Sequence, residues 1–426
     1  MMRRLIALCM TSLLIVISSM VDSATLLKTS SEKEFEPVFQ KGMSYRPAPY
    51  PNYYPYDTPE SDESLRRMAE TNVEWVAIIT WWFQENLTST QIYPHLEYTP
   101  TNESLKHAIQ KAHELGMKVM LKPMIDTEDA RNNPRWMIQP SPEWFASYRS
   151  FISSYAQFAQ ENGVELFCIG CEFKNTELDS ANWRKIISEV RKHYSGPLTY
   201  AATIDSYQKI NWWDDLNYVG INAFFPLTDK DDPTLEELKQ AWNRTANDIE
   251  SWHSSVNKPI LFTEIGYRSG DGNNKQPWNW TETLEPDLQE QFDCYLAAFQ
   301  VLRCRPWFCG FYWWVWESYP NIALPNFDKA LNQTLTDFTP QNKPVQYLIK
   351  SLYSSDIQTD PTLYLKLRIE SLEALVNELQ TDYTALLTDY NNTKNLLYAF
   401  AATTLFLALI IMIHIIKSRK QHTRSQ

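Results

Sequence analysis

Basic residues are in short supply. Lys and Arg number 39 against 51 Asp and Glu, which leaves a formal net charge of −12. That balance argues against a nucleic-acid partner, because a phosphate backbone is bound by clustered Lys and Arg. Cysteine is scarce too, six in 426 residues. Cys168 and Cys171 have the CxxC spacing, but a zinc site needs two more ligands at suitable spacing and none is present. Both are expected as buried thiols on an apolar strand. Cys304 and Cys309 are spaced so that they could close a disulfide; loss of an N-terminal leader with Cys9 leaves an odd total and at least one free thiol.

Long apolar runs are few, and two of them lie at the chain ends. The N-terminal MMRRLIALCMTSLLIVISS sets two arginines before an apolar run, with Val21-Asp22-Ser23 at suitable offsets for cleavage after Ser23. Residues 1–23 are therefore expected to be a secretory signal, the alternative being an uncleaved anchor. Residues 396–416 hold no acidic or strongly basic side chain. As a helix they span about 30 Å, the thickness of a bilayer's hydrocarbon. Lys417, Arg419, Lys420 and Arg424 follow at once. The positive-inside rule places tail 417–426 in the cytoplasm and everything before it outside. The expectation is a cell-surface, single-pass type I membrane protein. Asn-x-Ser/Thr triplets at Asn86, Asn102, Asn243, Asn279, Asn332 and Asn391 fit an exported glycoprotein.

Residues 24–38 read as a linker and residues 356–395 as a helical stalk. Leu365, Leu372, Leu379 and Leu386 recur every seven residues, as do Ile369, Val376, Tyr383 and Tyr390. Such a seam suits a coiled coil, and hence a homodimer through the stalk. A single helix folded back on the preceding domain is the alternative.

Aromatics, by contrast, are plentiful: 16 Trp, 23 Tyr and 19 Phe. They can fill a core, and they also suit stacking on sugar rings. Tyr50, Tyr53, Tyr54 and Tyr56 stud a proline-rich loop, placed either to pack that loop or to meet a sugar.

Residues 39–355 alternate strand and helix patterns eight times. Apolar strands are expected at 41–45, 73–81, 117–124, 164–170, 198–202, 218–223, 259–263 and 308–314. Helices are expected at 61–71, 101–115, from 141, 180–194, 234–251, 286–302 and 344–353. This is the α/β pattern of a (β/α)8 TIM barrel. Two of the strands end on an acid: VELFCIGCE on Glu172, and PILFTE on Glu264. Three βα units of about 30 residues each fill the interval between them, so both carboxylates reach one mouth of the barrel.

Paired carboxylates suit glycoside hydrolysis, one as proton donor and the other as nucleophile. Their pKa values must be driven apart by burial and by mutual repulsion. Glu172, behind Cys168 and Ile169, is placed to be the raised acid/base. Glu264, with Arg268 close in sequence, is placed to be the ionised nucleophile. No metal or other cofactor is needed. The expected partner is a carbohydrate. Trp314 is the candidate floor under the reacting sugar. Trp82 and Trp136 are further candidates at the rim, with Tyr267 just beyond Glu264. Asn222 is placed to donate to a sugar hydroxyl and Asp126 to accept from one, or each ties down a loop.

The stretches LKPMID (121–126), PRWMIQP (134–140), FCIGCEF (167–173), INAFFPL (221–227) and FTEIGYRSG (262–270) resemble glycoside hydrolase family 113 over about residues 39–353. The resemblance implies a retaining mechanism with Glu172 as acid/base and Glu264 as nucleophile, and β-1,4-mannan as the substrate class. Cys171 stands where many related families have Asn. Phe224 and Phe225 follow Asn222, where relatives often carry a Tyr bonded to the nucleophile. Two rival readings use the same barrel: an inert carbohydrate-binding adhesin, which has no need of the paired acids, and a transglycosylase that remodels surface glycans.

Overall fold

The computed structural model describes residues 38–47, 55–319 and 336–354, with isolated helical positions between 369 and 394. Eight strands form a closed barrel in chain order. They are β1 (Gln40–Arg46), β2 (Trp75–Gln84), β3 (Lys118–Thr127), β4 (Leu166–Cys171), β5 (Leu198–Thr203), β6 (Val219–Asn222), β7 (Ile260–Ile265) and β8 (Phe308–Glu317). Every neighbouring pair is parallel, and β8 pairs with β1 to close the ring.

Helices α1 (Pro59–Ala69), α2 (Asn102–Glu114), α3 (Pro142–Glu161) and α4 (Ser180–His193) follow the first four strands. Helices α5 (Leu235–Val256), α6 (Leu288–Leu302) and α7 (Pro344–Ser354) follow the last three. Their starts are set by side chains that accept from otherwise orphaned N–H groups. Thr58, Thr101, Ser141, Asp179, Thr234 and Asp287 each serve as N-cap, and Thr234 forms a capping box with Glu237. Removing one such cap costs about 1 kcal/mol. The first helix thus opens at Pro59 behind Thr58 rather than at Ser61, since proline is at ease in the first helical turn.

The alternation of strand and helix fails once. Between β5 and β6 there are only two 3-10 turns, Tyr207–Lys209 and Trp213–Asp215. Indoles fill the helix's place. Trp212 stacks on Trp183 of α4 with ring centroids 4.8 Å apart, and its Nε1 donates to Glu177 O at 2.9 Å. Both indoles are buried, and truncating one would cost about 3–5 kcal/mol.

The barrel interior holds Trp75, Ala77, Ile79, Met120, Met124, Leu166, Cys168, Cys171, Ala201, Leu261 and Tyr312. Along β2 the residues between them turn the other way: Thr80 and Trp82 both bond Tyr155 of α3. Near their C-terminal ends β4, β6, β7 and β8 lose regular register. Such irregularities break the two-residue alternation and re-aim side chains. The one in β4 lets both Cys168 and Cys171 face inward. At the far end of the chain Tyr353 Oη donates to Gly42 O at 3.1 Å, which ties α7 back to β1.

The described cysteines are all free. Cys304 is exposed and Cys309 is buried in the interior cluster, so the two do not form the disulfide their spacing allowed. Tyr56 is buried too. It donates to Tyr45 O and Ile79 O at 3.0 and 2.8 Å, so it packs its loop and offers no face to a sugar. Tyr50, Tyr53 and Tyr54 lie outside the described residues, as do the expected signal, nearly all of the linker, and the expected membrane span with its basic tail. Of the stalk, the described positions between 369 and 394 are helical and exposed, including Ile369 and Tyr390 of the expected seam. Among the described residues no helix is long and apolar enough to cross a membrane.

Candidate active site

Glu172 is the first residue after β4. Its φ is +59°, a left-handed backbone uncommon outside glycine, and its N–H donates to Ala201 O of β5 at 2.9 Å. The turn follows the irregularity in β4 and swings the carboxylate over the mouth. Oε1 accepts from Asn222 Nδ2 at 3.0 Å, and Oε2 faces a guanidinium nitrogen of Arg135 at 3.4 Å. About 15% of the side chain stays accessible. Burial pushes its carboxyl above the ordinary value, the nearby Glu264 pushes it further, and Arg135 and Asn222 only partly oppose them.

Glu264 lies within β7, its side chain 6% accessible. Oε1 accepts from Lys122 Nζ at 2.5 Å, and the Cys171 Sγ lies 3.9 Å away. Lys122 projects from β3 with the inward parity of Met120 and Met124 and is fully buried. Burial by itself would lower the ammonium, but Cys171 and Glu264 outweigh it and hold Lys122 above its usual value. Burial also pushes the Cys171 thiol well up, with the Lys122 ammonium opposing.

Asn222, at the end of β6, joins the two acids. Its Nδ2 donates to Glu172, while its Oδ1 accepts from Thr263 Oγ1 at 3.0 Å and from Lys122 Nζ at 3.4 Å. Asp126 is committed elsewhere. Both its oxygens are held by Arg135, at 2.8 and 2.7 Å, so it steadies the arginine beside Glu172.

The expected aromatic contacts divide. Trp314 is half-buried against the interior cluster, with the Arg46 guanidinium 5.6 Å from its ring centroid. Gly266 makes room for it: a Cβ there would lie 2.3 Å from Trp314 O. Trp136 is 43% exposed, on the 3-10 turn beside Arg135. Trp82 points the other way. Its Nε1 donates to Tyr155 Oη at 2.9 Å and its ring lies on Phe151, so it fills the seam between β2 and α3, and Trp81 is the neighbour that faces the interior. Tyr267 is 1% exposed, edge-on to Tyr295 of α6, and has no face free for a sugar. Arg268 is not the cation beside Glu264. Its guanidinium donates to Thr336 O, Asn279 O and Glu282 O and ties loops together.

Two clusters stand apart from this site. A cavity of about 430 Å³ between Pro226 and Arg244 shares no residue with it. Among the described residues, Asp232, Asp271 and Asp287 bring ligand-type oxygens within 4.8 Å of one another, but Asp287 is already capping α6.

A profile of Glycoside Hydrolase Family 113 matches residues 49–339. The chain belongs to family 113. Solved structures agree. A family 113 β-1,4-mannanase is 29% identical with a TM-score of 0.65, covering 75% of this chain and 99% of its own. A family 113 β-mannanase from Alicyclobacillus acidocaldarius is 26% identical, with a TM-score of 0.64 and coverage of 74% and 97%. A β-glucuronidase from Ruminococcus gnavus, at 13% identity and TM-score 0.52, shares the fold over 75% of this chain and 50% of its own. No curated protein matches the sequence. As a member of family 113 the chain is a retaining glycoside hydrolase.

Sequence reasoning passed over Lys122 and Arg135, although both lie in the motifs that carry the family 113 resemblance. Lys122 had a signal: a lone charge at an inward position of a strand otherwise buried. Arg135 had none, because its role depends on a loop turning back over β4.

Proposed function

We propose that this chain is a surface-tethered β-mannanase in which Glu172 is the acid/base and Glu264 the nucleophile. The observation that carries the assignment is the single amide of Asn222 standing between two strand-end acids with different counter-charges. Glu264 attacks the anomeric carbon, the bond to the leaving oxygen breaks, and Glu172 gives that oxygen its proton. Water then attacks the same carbon and yields a proton to Glu172 as the bond to Glu264 breaks. Two inversions leave the β configuration unchanged. Trp314 supports the reacting sugar from below.

The substrate class is inferred from the β-mannanases at 26–29% identity. The cell-surface placement rests on the sequence: a leader at 1–23, an apolar segment at 396–416, and the basic tail after it. A coiled-coil stalk at 356–395 would pair two copies.

The full-length chain should be assayed on β-mannan, β-glucan, xylan and aryl β-glycosides with a reducing-end readout and NMR of the first product. Release of β-anomers from mannan is expected. Cleavage of glucan or xylan alone would remove mannan from the proposal, and a first-formed α-anomer would remove the double displacement. Oligosaccharides longer than the substrate would mark transfer to sugar instead of water. External protease on intact cells should degrade the barrel if it lies outside.

A further inference from the structure

Lys122 is the charged group most deeply buried at the site, and nothing in the two-acid scheme requires it. Its Nζ contacts Glu264 Oε1 at 2.5 Å and Asn222 Oδ1 and Thr263 O at 3.4 Å. The same Asn222 amide donates from Nδ2 to Glu172. The amide therefore lies with its oxygen toward a cation and its nitrogen toward the second acid. That is the favourable orientation for a dipole between an ammonium and a carboxylate.

We propose that Lys122 is a further catalytic residue, acting with Asn222 to keep the site's charge balanced while the negative charge moves between the two acids. This rests on the roles given above to Glu172 and Glu264. At rest, Glu264 is the anion and Glu172 holds the proton. When the C1–O bond to Glu264 forms, that carboxylate loses its charge. Glu172, having passed its proton to the leaving oxygen, becomes the anion. Lys122 stays charged throughout, and its counter-charge moves from direct contact to the far end of the Asn222 amide. A buried ammonium separated from its partner is costly, so the ester is poised to break. In the second step the electron pair of the C1–O bond returns to the Glu264 oxygen facing Lys122. An ammonium already in position stabilises that departing carboxylate without reorganisation.

The groups that face Lys122 are Glu264 and Thr263 from β7, Asn222 from β6, and the Cys168 and Cys171 thiols from β4. Those that face Glu172 are Arg135, Asn222, Glu264, Lys122 and Glu177.

The test is Lys122→Met in the full-length chain, on the aryl β-glycoside that the wild type turns over best. A burst of phenolate approaching one equivalent per site is expected, followed by steady turnover about 100-fold below wild type. Equal slowing of both steps, with no burst, would show a structural ion pair and overturn the proposal. If Lys122→Met does not fold, Lys122→Arg serves. With charge retained it should show no burst and hydrolyse within about tenfold of wild type; a burst there overturns the proposal as well. A wild type with no glycosidase activity, or one indifferent to Glu264→Ala, would refute the function itself. Turnover that needs Glu264 but shows no step selectivity in Lys122→Met would refute the charge balancing alone.

Discussion

Glu172 and Glu264 hang from different kinds of backbone and answer to different cations. Glu264 sits within β7, on extended backbone where the register with β6 and β8 shifts, and has Lys122 at 2.5 Å. Glu172 sits on a left-handed turn past its strand and shares Arg135 with Asp126. The sharing is unequal: the arginine reaches Asp126 at 2.7 and 2.8 Å but Glu172 at only 3.4 Å. A guanidinium that has spent two good bonds on one carboxylate has little left to neutralise another. Burial and repulsion therefore prevail at Glu172 and hold its carboxyl above the ordinary value, whereas Glu264 has a buried ammonium in direct contact. The division of two cations thus suits two chemically identical side chains to the opposite roles proposed for them.

That contrast is broken most completely by Glu264→Ala. Removing the proposed nucleophile should lower turnover of aryl β-glycosides by several orders of magnitude, with circular dichroism unchanged. Next in size is Glu172→Ala. Poor leaving groups should suffer most, because they need the proton, and dinitrophenyl glycosides least. Azide should restore turnover and yield a β-glycosyl azide; an α product would mean that Glu172 is not the acid/base of a retaining enzyme.

The positions of these two acids were legible in the sequence because each closes an apolar run, and a barrel presents strand ends at one mouth. The parity of the rim was not. Trp81 and Trp82 are adjacent, and a shift of one residue exchanges the faces of a strand. The bonds of Thr80 and Trp82 to Tyr155 decide the matter, and no local pattern encodes them. Cys171 faces the same difficulty, since alternation from Cys168 would send it outward and the irregularity in β4 brings it back. The expectation of eight strand–helix alternations failed after β5, and what fills that gap was not legible. Trp212 and Trp213 were simply two more aromatics until Trp183 was found beneath one of them. Arg268 shows the opposite error, in which nearness along the chain was taken for nearness in space.

A gentler perturbation sharpens the contrast without removing either acid. Arg135→Met takes away the cation that favours the ionised form of Glu172. Its pKa should rise, and because activity needs the protonated acid, the alkaline limb of kcat/KM should move to higher pH. Asp126→Asn should act in the opposite sense, since it frees the guanidinium to close on Glu172 and draws the limb down. At a fixed pH on that limb the two variants should differ by on the order of threefold to tenfold. Movement of both in the same direction would contradict the account of a shared arginine.

The smallest effect on turnover is expected at Glu177, behind Glu172. It accepts from Tyr200 Oη at 2.7 Å, and burial lifts its pKa to about 7 against the bonds from Tyr200 and Ser206, with the charge of Glu172 adding to the rise. Its folded pKa is raised above the unfolded value of 4.5. Its contribution to stability is therefore full below that value and is lost as pH rises through about 7. The loss amounts to about 3 kcal/mol at most. Glu177→Gln keeps an acceptor for Tyr200 and cannot ionise. Melting temperature should then fall less between pH 5 and 8 than in the wild type. The alkaline limb of kcat/KM should shift slightly downward, because one negative charge no longer opposes ionisation of Glu172. A variant that melted with the wild-type pH dependence would mean that Glu177 is already ionised at neutral pH. Glu172 would then feel a second full anion in the resting enzyme, and its proton would owe more to repulsion and less to burial.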